Sequence, residues 1–197
     1  MGRKKQYDRD ELLEKSVSIF RKNGYHATNT DELADEFGIN KKSLYAEFGS
    51  KLNLFKNTLE YYEKTFLTQM LMPIEEKGAG AEGIKKVFNL IAEYGQKDLC
   101  GLGCLLCNTS AERESLDPCI GPVIDNYYKR IHRGFQNTLK NFARSFDNEN
   151  HIDVQSIAQF LTTALIGLAT SVRAKAPPQQ LRGTCKFIET YLDMLKE

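Results

Sequence analysis

The sequence predicts an all-α chain. Three observations carry that prediction. Apolar residues recur at spacings of three and four in one segment after another, no run alternates as a half-buried strand would, and Gly, Asn, Asp and Ser stand where helices should begin and end. Neither an internal repeat nor a low-complexity tract interrupts the pattern.

The elements follow in order. Residues 8–23 carry Leu12, Leu13, Val17 and Phe20 with charged residues between them, and Gly24 supplies the stop signal. Thr28 or Asn29 then caps a short second helix, whose positive first turn holds Asp31 and Glu32 and whose inner side holds Leu33, Ala34 and Phe37. Gly38 ends it. Asn40 caps a third helix through Phe48, with Leu44 and Phe48 facing inward. Ser50 caps a fourth that carries Leu52, Phe55, Leu59, Tyr62 and Phe66 and is expected to stop near Met72, ahead of Pro73. Residues 75–83, rich in Gly, Ala and Glu, read as a loop. Ile84, Val87, Phe88 and Ile91 mark a short helix, and residues 105–112 a further one. Residues 118–146 form a long helix with Ile124, Tyr128, Ile131, Phe135, Leu139 and Phe142 in one stripe. A polar turn over 147–151 leads to two final helices, 154–175 and 179–195, parted by Pro177 and Pro178.

Composition narrows the class of function. A chain of 197 residues can bury roughly 70% of its unfolded surface. Lys plus Arg is 27 against 26 for Asp plus Glu, a formal charge of +1, so nucleic acid or membrane cannot be gripped by bulk charge and needs a local patch. The most apolar stretch, residues 160–169, is about half the roughly 20 residues that span a bilayer, and no secretory leader is visible. A soluble cytoplasmic protein without a membrane partner is expected. Five cysteines, an odd count, then read as reduced thiols. Enzyme motifs are missing: there is no H-E-x-x-H, no G-x-S-x-G and no phosphate-cradling glycine loop, and none of the three histidines is paired by sequence with a cysteine. No catalytic residue, cofactor or metal site is assigned.

Residues 29–48 meet the requirements of a helix-turn-helix. Ala34 is small where two short helices cross, Gly38 sits at the turn, and Ile39 and Leu44 plug the core. The outer face of the third helix presents Lys41, Lys42, Ser43 and, a turn later, Tyr45. Cations at a helix N-terminus are disfavoured by the dipole, and a polyanion docking there would offset that cost. A plain helical hairpin with a solvated lysine pair fits the same spacing.

The pieces Gly24-Tyr25-x-x-Thr28, Asp31-x-Leu33-Ala34, Phe37-Gly38-Ile39-Asn40, Ser43-Leu44-Tyr45-x-x-Phe48 and Ser50-Lys51-x-x-Leu54 together resemble the tetracycline-repressor (TetR) family of transcriptional regulators over residues 8–56. The resemblance implies a helix-turn-helix DNA-binding domain at 1–56 and a larger helical ligand-binding and dimerisation domain at 57–197. The third helix would be the recognition helix, with Lys41, Lys42 and Ser43 nearest the base edges after the Asn40 cap. Tyr45 would pack on the sugar-phosphate backbone, and Lys51 would neutralise a phosphate. Thr28 and Thr30 are phosphate-side candidates, for which capping is an equal alternative. Arg3, Lys4 and Lys5 would form an arm toward DNA or a solvated tail. Two departures matter: Glu47 stands where the family often has His, and Lys42 where Gly is frequent.

The implied protein is a homodimeric, ligand-responsive repressor on a palindromic double-stranded operator. Its half-sites would lie about 34–36 Å apart or a multiple of that. An unknown small-molecule inducer or cysteine modification would release it. An activator of the same fold, or a protein-binding module with a degenerate helix-turn-helix, is the alternative. Ile157, Phe160, Leu161, Ala164, Leu165, Leu168 and Val172, continued by Phe187, Ile188, Tyr191, Leu192 and Leu195, would form the dimer seam as a four-helix bundle. For the ligand pocket the candidates are Tyr62, Phe66, Phe88, Tyr94, Cys104, Tyr127 and Tyr128, although an aromatic stripe also reads as core. Cys100, Cys104 and Cys107, at spacings of four and three, fit buried packing, a thiol sensor centred on Cys104, or a metal site.

Overall fold

The computed structural model describes residues 7–97, 100–145 and 152–196, and the elements among them are helical throughout. The basic arm expected at residues 3–5, the turn at 147–151 and the end of the long helix at Phe146 lie outside the described residues.

Four helices build the N-terminal unit. α1 (Arg9–Ala27) is capped by Asp8, whose side chain accepts from the Asp10 amide. It runs one turn past its expected end; Gly24 breaks the helical geometry at φ 77°, ψ 177°, and the last turn to Ala27 follows the kink. α2 (Thr30–Phe37) starts at Asn29 and stops at Gly38, which is left-handed at φ 67°, ψ 27° and returns its amide to the carbonyls of Ala34 and Asp35. A side chain there would be strained, so glycine is what lets α3 (Lys41–Phe48) leave at a sharp angle. Leu12, Leu13 and Phe20 of α1, Leu33, Ala34 and Phe37 of α2, and Leu44 and Phe48 of α3 close one core against Leu54 and Phe55. Phe20 meets Phe55 edge to face at 4.8 Å.

α4 (Lys51–Tyr62) is capped by Ser50 and passes without a break through a five-residue π turn, Glu63–Leu67, into α5 (Thr68–Glu75). The boundary expected at 56/57 therefore falls inside a continuous rod. Pro73 does not end that rod as expected. It sits in the last turn, and the leftover Ile74 carbonyl accepts from Thr138 Oγ1 at 3.0 Å. The loop expected to reach Gly83 is shorter too, because α6 (Ala81–Gly95) already contains Gly83. A Cβ there would stand 2.1 Å from the Pro73 carbonyl oxygen, so this glycine serves close packing of α6 on α5.

The remaining elements are α7 (Leu105–Ala111), two 3-10 turns at Arg113–Ser115 and Pro118–Ile120, α8 (Gly121–Ala143), α9 (Val154–Arg173) and α10 (Pro178–Met194). α9 packs against α8, α6 and α10. By length and composition alone it is the one helix among the described residues that is long and apolar enough to cross a membrane, with 20 residues and a mean hydropathy of 1.2 over an 18-residue window. The apolar stretch read from sequence at residues 160–169 is the middle of this helix. Ile157, Leu161, Leu165, Leu168 and Val172 spend their apolar surface inside the same chain instead. They were expected in a seam between two copies. Only the outer edge of that stripe remains open: Phe160 and Phe187 are 47% and 60% exposed, with Phe187 stacked on Tyr191.

Candidate nucleic-acid interface and the cavity behind it

The outer side of the helix-turn-helix is set by three caps. Asn40 accepts from the Ser43 amide at 2.8 Å, Asn29 from the Asp31 amide at 2.9 Å, and Ser50 from the Asn53 amide at 3.1 Å. These bonds fix where α2, α3 and α4 begin, and Asn40 is thereby engaged in capping. Lys41, Lys42 and Tyr45 are exposed along α3, and Ser43 is half-buried. Lys41 pairs with Asp31 at 2.9 Å, which pushes its ammonium pKa up; the Tyr45 hydroxyl lies 3.5 Å from Thr30 Oγ1. Between two exposed groups such a pair contributes little and yields easily to a polyanion.

Thr28 carries two readings from sequence, a phosphate-side contact and capping. Its side chain is buried, and its hydroxyl donates to the Gly24 carbonyl at 2.6 Å, where it satisfies the carbonyl left by the kink. Lys51 is half-buried. Its Nζ lies 4.5 Å above the Tyr25 ring and 3.4 Å from the His26 carbonyl, and burial lowers its pKa. Glu47 is turned inward, held by Arg9 at 3.4 Å and by the Tyr7 hydroxyl at 3.2 Å, so its charge serves the packing of α1 on α3.

Behind this unit lies a narrow apolar cavity of about 30 Å³, open on one side. Tyr62, Phe66, Cys104 and Tyr127, all expected pocket residues, line it together with Met70. Three other candidates do not line this cavity. Phe88 is fully buried and stacks on Phe135 at 6.0 Å; Tyr94 is 39% exposed and meets Phe66 edge to face at 6.4 Å; Tyr128 turns its hydroxyl to Ser110 at 3.0 Å. The aliphatic side of the cavity comes from α9, through Leu165, Ala169 and Val172. Those residues read from sequence as seam, since an apolar stripe does not say which neighbour covers it. The π turn adds one residue to the rod and brings Phe66 into a parallel stack on Tyr62 at 5.2 Å.

Two thiols meet one hydroxyl on the cavity floor. Tyr127 Oη is 3.5 Å from Cys104 Sγ and 3.1 Å from Cys107 Sγ. Burial pushes the Cys104 thiol up, but hydrogen bonds from the Cys107 thiol, the Tyr127 hydroxyl, the Cys107 amide and the Tyr62 hydroxyl outweigh it and bring the pKa down to about 6. Cys107 moves the opposite way, raised by its bond to Cys104 and by burial. Of the two thiols, Cys104 is therefore the more acidic. Among the described residues no group of three His, Cys, Asp or Glu could hold a metal ion.

The cavity is tied to α1 by two arginines. Arg21, buried on α1, donates through Nε at 3.0 Å and through Nη2 to the carbonyl of Gly103, the residue before Cys104. Its guanidinium also lies 5.6 Å from the Tyr62 ring centroid and 5.5 Å from that of Phe66. Arg173 at the end of α9 donates to the carbonyls of Arg21 and Lys22, and Asn108 to those of Leu102 and Arg21. Sequence reasoning missed all three residues. A lone basic residue on a helix gives no sign that it will be folded under the chain 82 residues away.

The chain is similar to known regulatory proteins. Residues 12–58 match the family model described as bacterial regulatory proteins, tetR family. The HTH-type transcriptional repressor ComR of Escherichia coli (strain K12) is 31% identical over 186 residues, covering 91% of this chain and 86% of that protein. The HTH-type transcriptional repressor BdcR of the same strain is 26% identical over 184 residues, covering 93% and 88%. Among solved structures, a cysteine mutant of the TetR family transcriptional regulator CifR, complexed with 26-bp double-strand operator DNA, superposes with a TM-score of 0.82 at 22% identity, covering 95% of this chain and 98% of that one. A TetR transcriptional regulator from Legionella pneumophila gives 0.76 at 20% identity, covering 96% and 99%.

Proposed function

The chain belongs to the tetR family of bacterial regulatory proteins and is a DNA-binding transcriptional regulator of that type, and on that premise we propose that it is a homodimeric repressor released by a signal received at the cavity beside Cys104. The observation that carries the DNA side of this reading is the lysine pair at the start of α3. Lys41 and Lys42 are exposed on a helix whose three residues of first turn include no acid, where the dipole disfavours them. An anionic groove reverses that penalty. Lys41, Lys42 and Ser43 then face base edges while the Asn40 cap sets the helix in place. Tyr45 and Thr30 meet the backbone beside them, and Lys51 leaves the Tyr25 ring for a phosphate. Thr28 acts from inside by fixing the turn that aims α2.

Each protomer offers few cationic contacts, so tight binding calls for two. Phe160, Phe187 and Tyr191 on the outer side of α9 and α10 supply an apolar strip of the kind a second copy would cover. The division into 1–56 for DNA and 57–197 for ligand and dimerisation is part of the same reading, with the α4 rod belonging to both. A signal is effective only if it favours the geometry that does not fit DNA. Arg21, Arg173 and α4 lead from the cavity to that geometry. Repressor names among relatives covering nearly the whole chain favour repression over activation.

The test is selection of bound fragments from genomic DNA by the full chain, followed by anisotropy on the best fragment. A symmetric site bound by two protomers is the expected result. Binding unchanged in Lys41→Ala/Lys42→Ala would overturn the assignment of α3.

A further inference from the structure

Arg21 is buried, at 6% exposed, and among the described residues no carboxylate meets it. Other cations drawn into the fold are matched by acids: Arg130 by Glu63 and Glu75, Lys85 by Glu82 and Asp193. Both side-chain bonds of Arg21, from Nε and Nη2, go to the single carbonyl of Gly103. A guanidinium carries five N–H groups, so most of its donors stay unused. The faces of Tyr62 and Phe66 ease the burial of the cation but supply no charge. A buried cation is costly until an anion meets it, and the guanidinium fork is shaped for a carboxylate.

Arg21 lines a groove of about 300 Å³ between α1 and the π turn. Tyr62 and Phe66 face both this groove and the inner cavity, so together with Arg21 they form the wall between the two. Arg21 Nη1 takes part in no bond yet is not sealed from solvent, and the space that Arg21 lines is the groove. Val17 and Phe66 give the groove an apolar surface. Ser18 on α1 and Gln69 on α5 stand exposed on its two banks. Ser18 precedes Arg21 by three residues and shares its helix face. Glu14, one turn further along that face, puts a negative charge about 10 Å from Arg21 along the helix.

We propose that this groove is a binding site for small monocarboxylic acids, with the carboxylate taken by the unused N–H groups of Arg21 and the Ser18 hydroxyl, and the carbon body laid on Val17 and Phe66. Gln69 donates an amide N–H from the opposite bank. The charge pattern selects the class of ligand. One carboxylate offsets the Arg21 charge, whereas a second would extend toward Glu14 and be repelled. The acid touches both α1 and the rod, so its binding favours the packing in which they meet. The site lies outside the cavity beside Cys104, and acid binding does not depend on the reading of the chain as a repressor.

The test titrates the full chain, without DNA, in a calorimeter with three probes: 3-phenylpropionate, its neutral counterpart 3-phenylpropionamide, and the dicarboxylate phenylsuccinate. The expected result is one equivalent of 3-phenylpropionate bound, with the amide and phenylsuccinate each at least about tenfold weaker. Arg21→Lys, which keeps the charge but loses the fork, should cost the acid about tenfold. Ser18→Phe fills the groove without touching Gly103 and should abolish binding with the melting temperature kept. Should Arg21→Lys not fold, Ser18→Phe decides the location. Glu14→Gln should tighten the acid about twofold and leave the amide unchanged, a response that a merely structural Arg21 would not give. The proposal is overturned if the acid does not bind, if acid and amide bind alike, or if binding survives Ser18→Phe, which would put the acid elsewhere. A chain that binds no DNA defeats the regulator reading and leaves this titration intact.

Discussion

The outer face of α3 and the cavity beside Cys104 are built on opposite principles. On α3 the functional groups are exposed, charged and weakly held; Lys41 has only a surface partner in Asp31. In the cavity they are buried and tied into a network, with two thiols on one hydroxyl and two arginines closing on backbone carbonyls. The first arrangement keeps its cations available to a polyanion at little cost to folding. The second stores its chemistry where any change of shape is felt by the neighbours, because interiors are close-packed. The exposed face and the buried cavity thus differ above all in how firmly their residues are held.

The largest effect should come from the loose site. Replacing Lys41 and Lys42 by Ala removes up to four cationic contacts from a dimer and should weaken DNA binding about 100-fold or more, with the melting temperature unchanged. Anisotropy at two salt concentrations checks this, since the salt dependence should flatten as well. Next comes the strip proposed to link two copies: Phe160→Ser/Phe187→Ser should cost about 2–4 kcal/mol of association, seen as a monomer by sedimentation at micromolar concentration. Arg21→Met breaks the firm site at its link to α1. It should lower stability by about 2 kcal/mol in denaturant unfolding, because the Gly103 carbonyl loses a charged donor inside the protein. If that variant also releases DNA without a signal, the cavity and α3 are coupled through this arginine; unchanged DNA affinity would separate them. The smallest change is Thr28→Val, about 1 kcal/mol of stability with DNA affinity at its wild-type value, as expected of a hydroxyl that closes a kink.

A pH series sharpens the contrast. With Cys104 held down to about 6, its thiolate fraction rises as pH passes through that value and levels above it. The rate of alkylation of Cys104 by iodoacetamide should therefore climb between pH 5 and pH 7 and then flatten, whereas the exposed Cys119, raised by its bond to Asp117 and by desolvation, should react mainly above its ordinary range. A Cys104 profile matching that of Cys119 would show that the network does not hold the thiolate.

The two regions were unequally legible. Asn29, Gly38, Asn40 and Ser50 specify the helix-turn-helix by local rules, since a cap or a left-handed turn depends on residues within one helical turn of itself. The lysine pair stood out because helix energetics alone would not put it there. Pro73 and Gly83 misled for the same reason in reverse. Both are breakers by propensity, yet packing of α5 on α6 places one in a last turn and the other at a backbone contact. In the cavity the aromatic stripe named Tyr62, Phe66 and Tyr127 together with Phe88, Tyr94 and Tyr128, and nothing in the spacing separated the two sets.

By itself, then, the sequence determined the helices, their caps and the charged face of α3, because periodicity, capping and dipole effects act over a few residues. The tertiary structure alone decided that Val172 and Leu165 face a cavity rather than a second copy, that Thr28 is inside, and that Arg21 closes on Gly103. Each of those outcomes depends on which surfaces meet across tens of residues of chain, and burial follows from that meeting rather than from the residue's own chemistry.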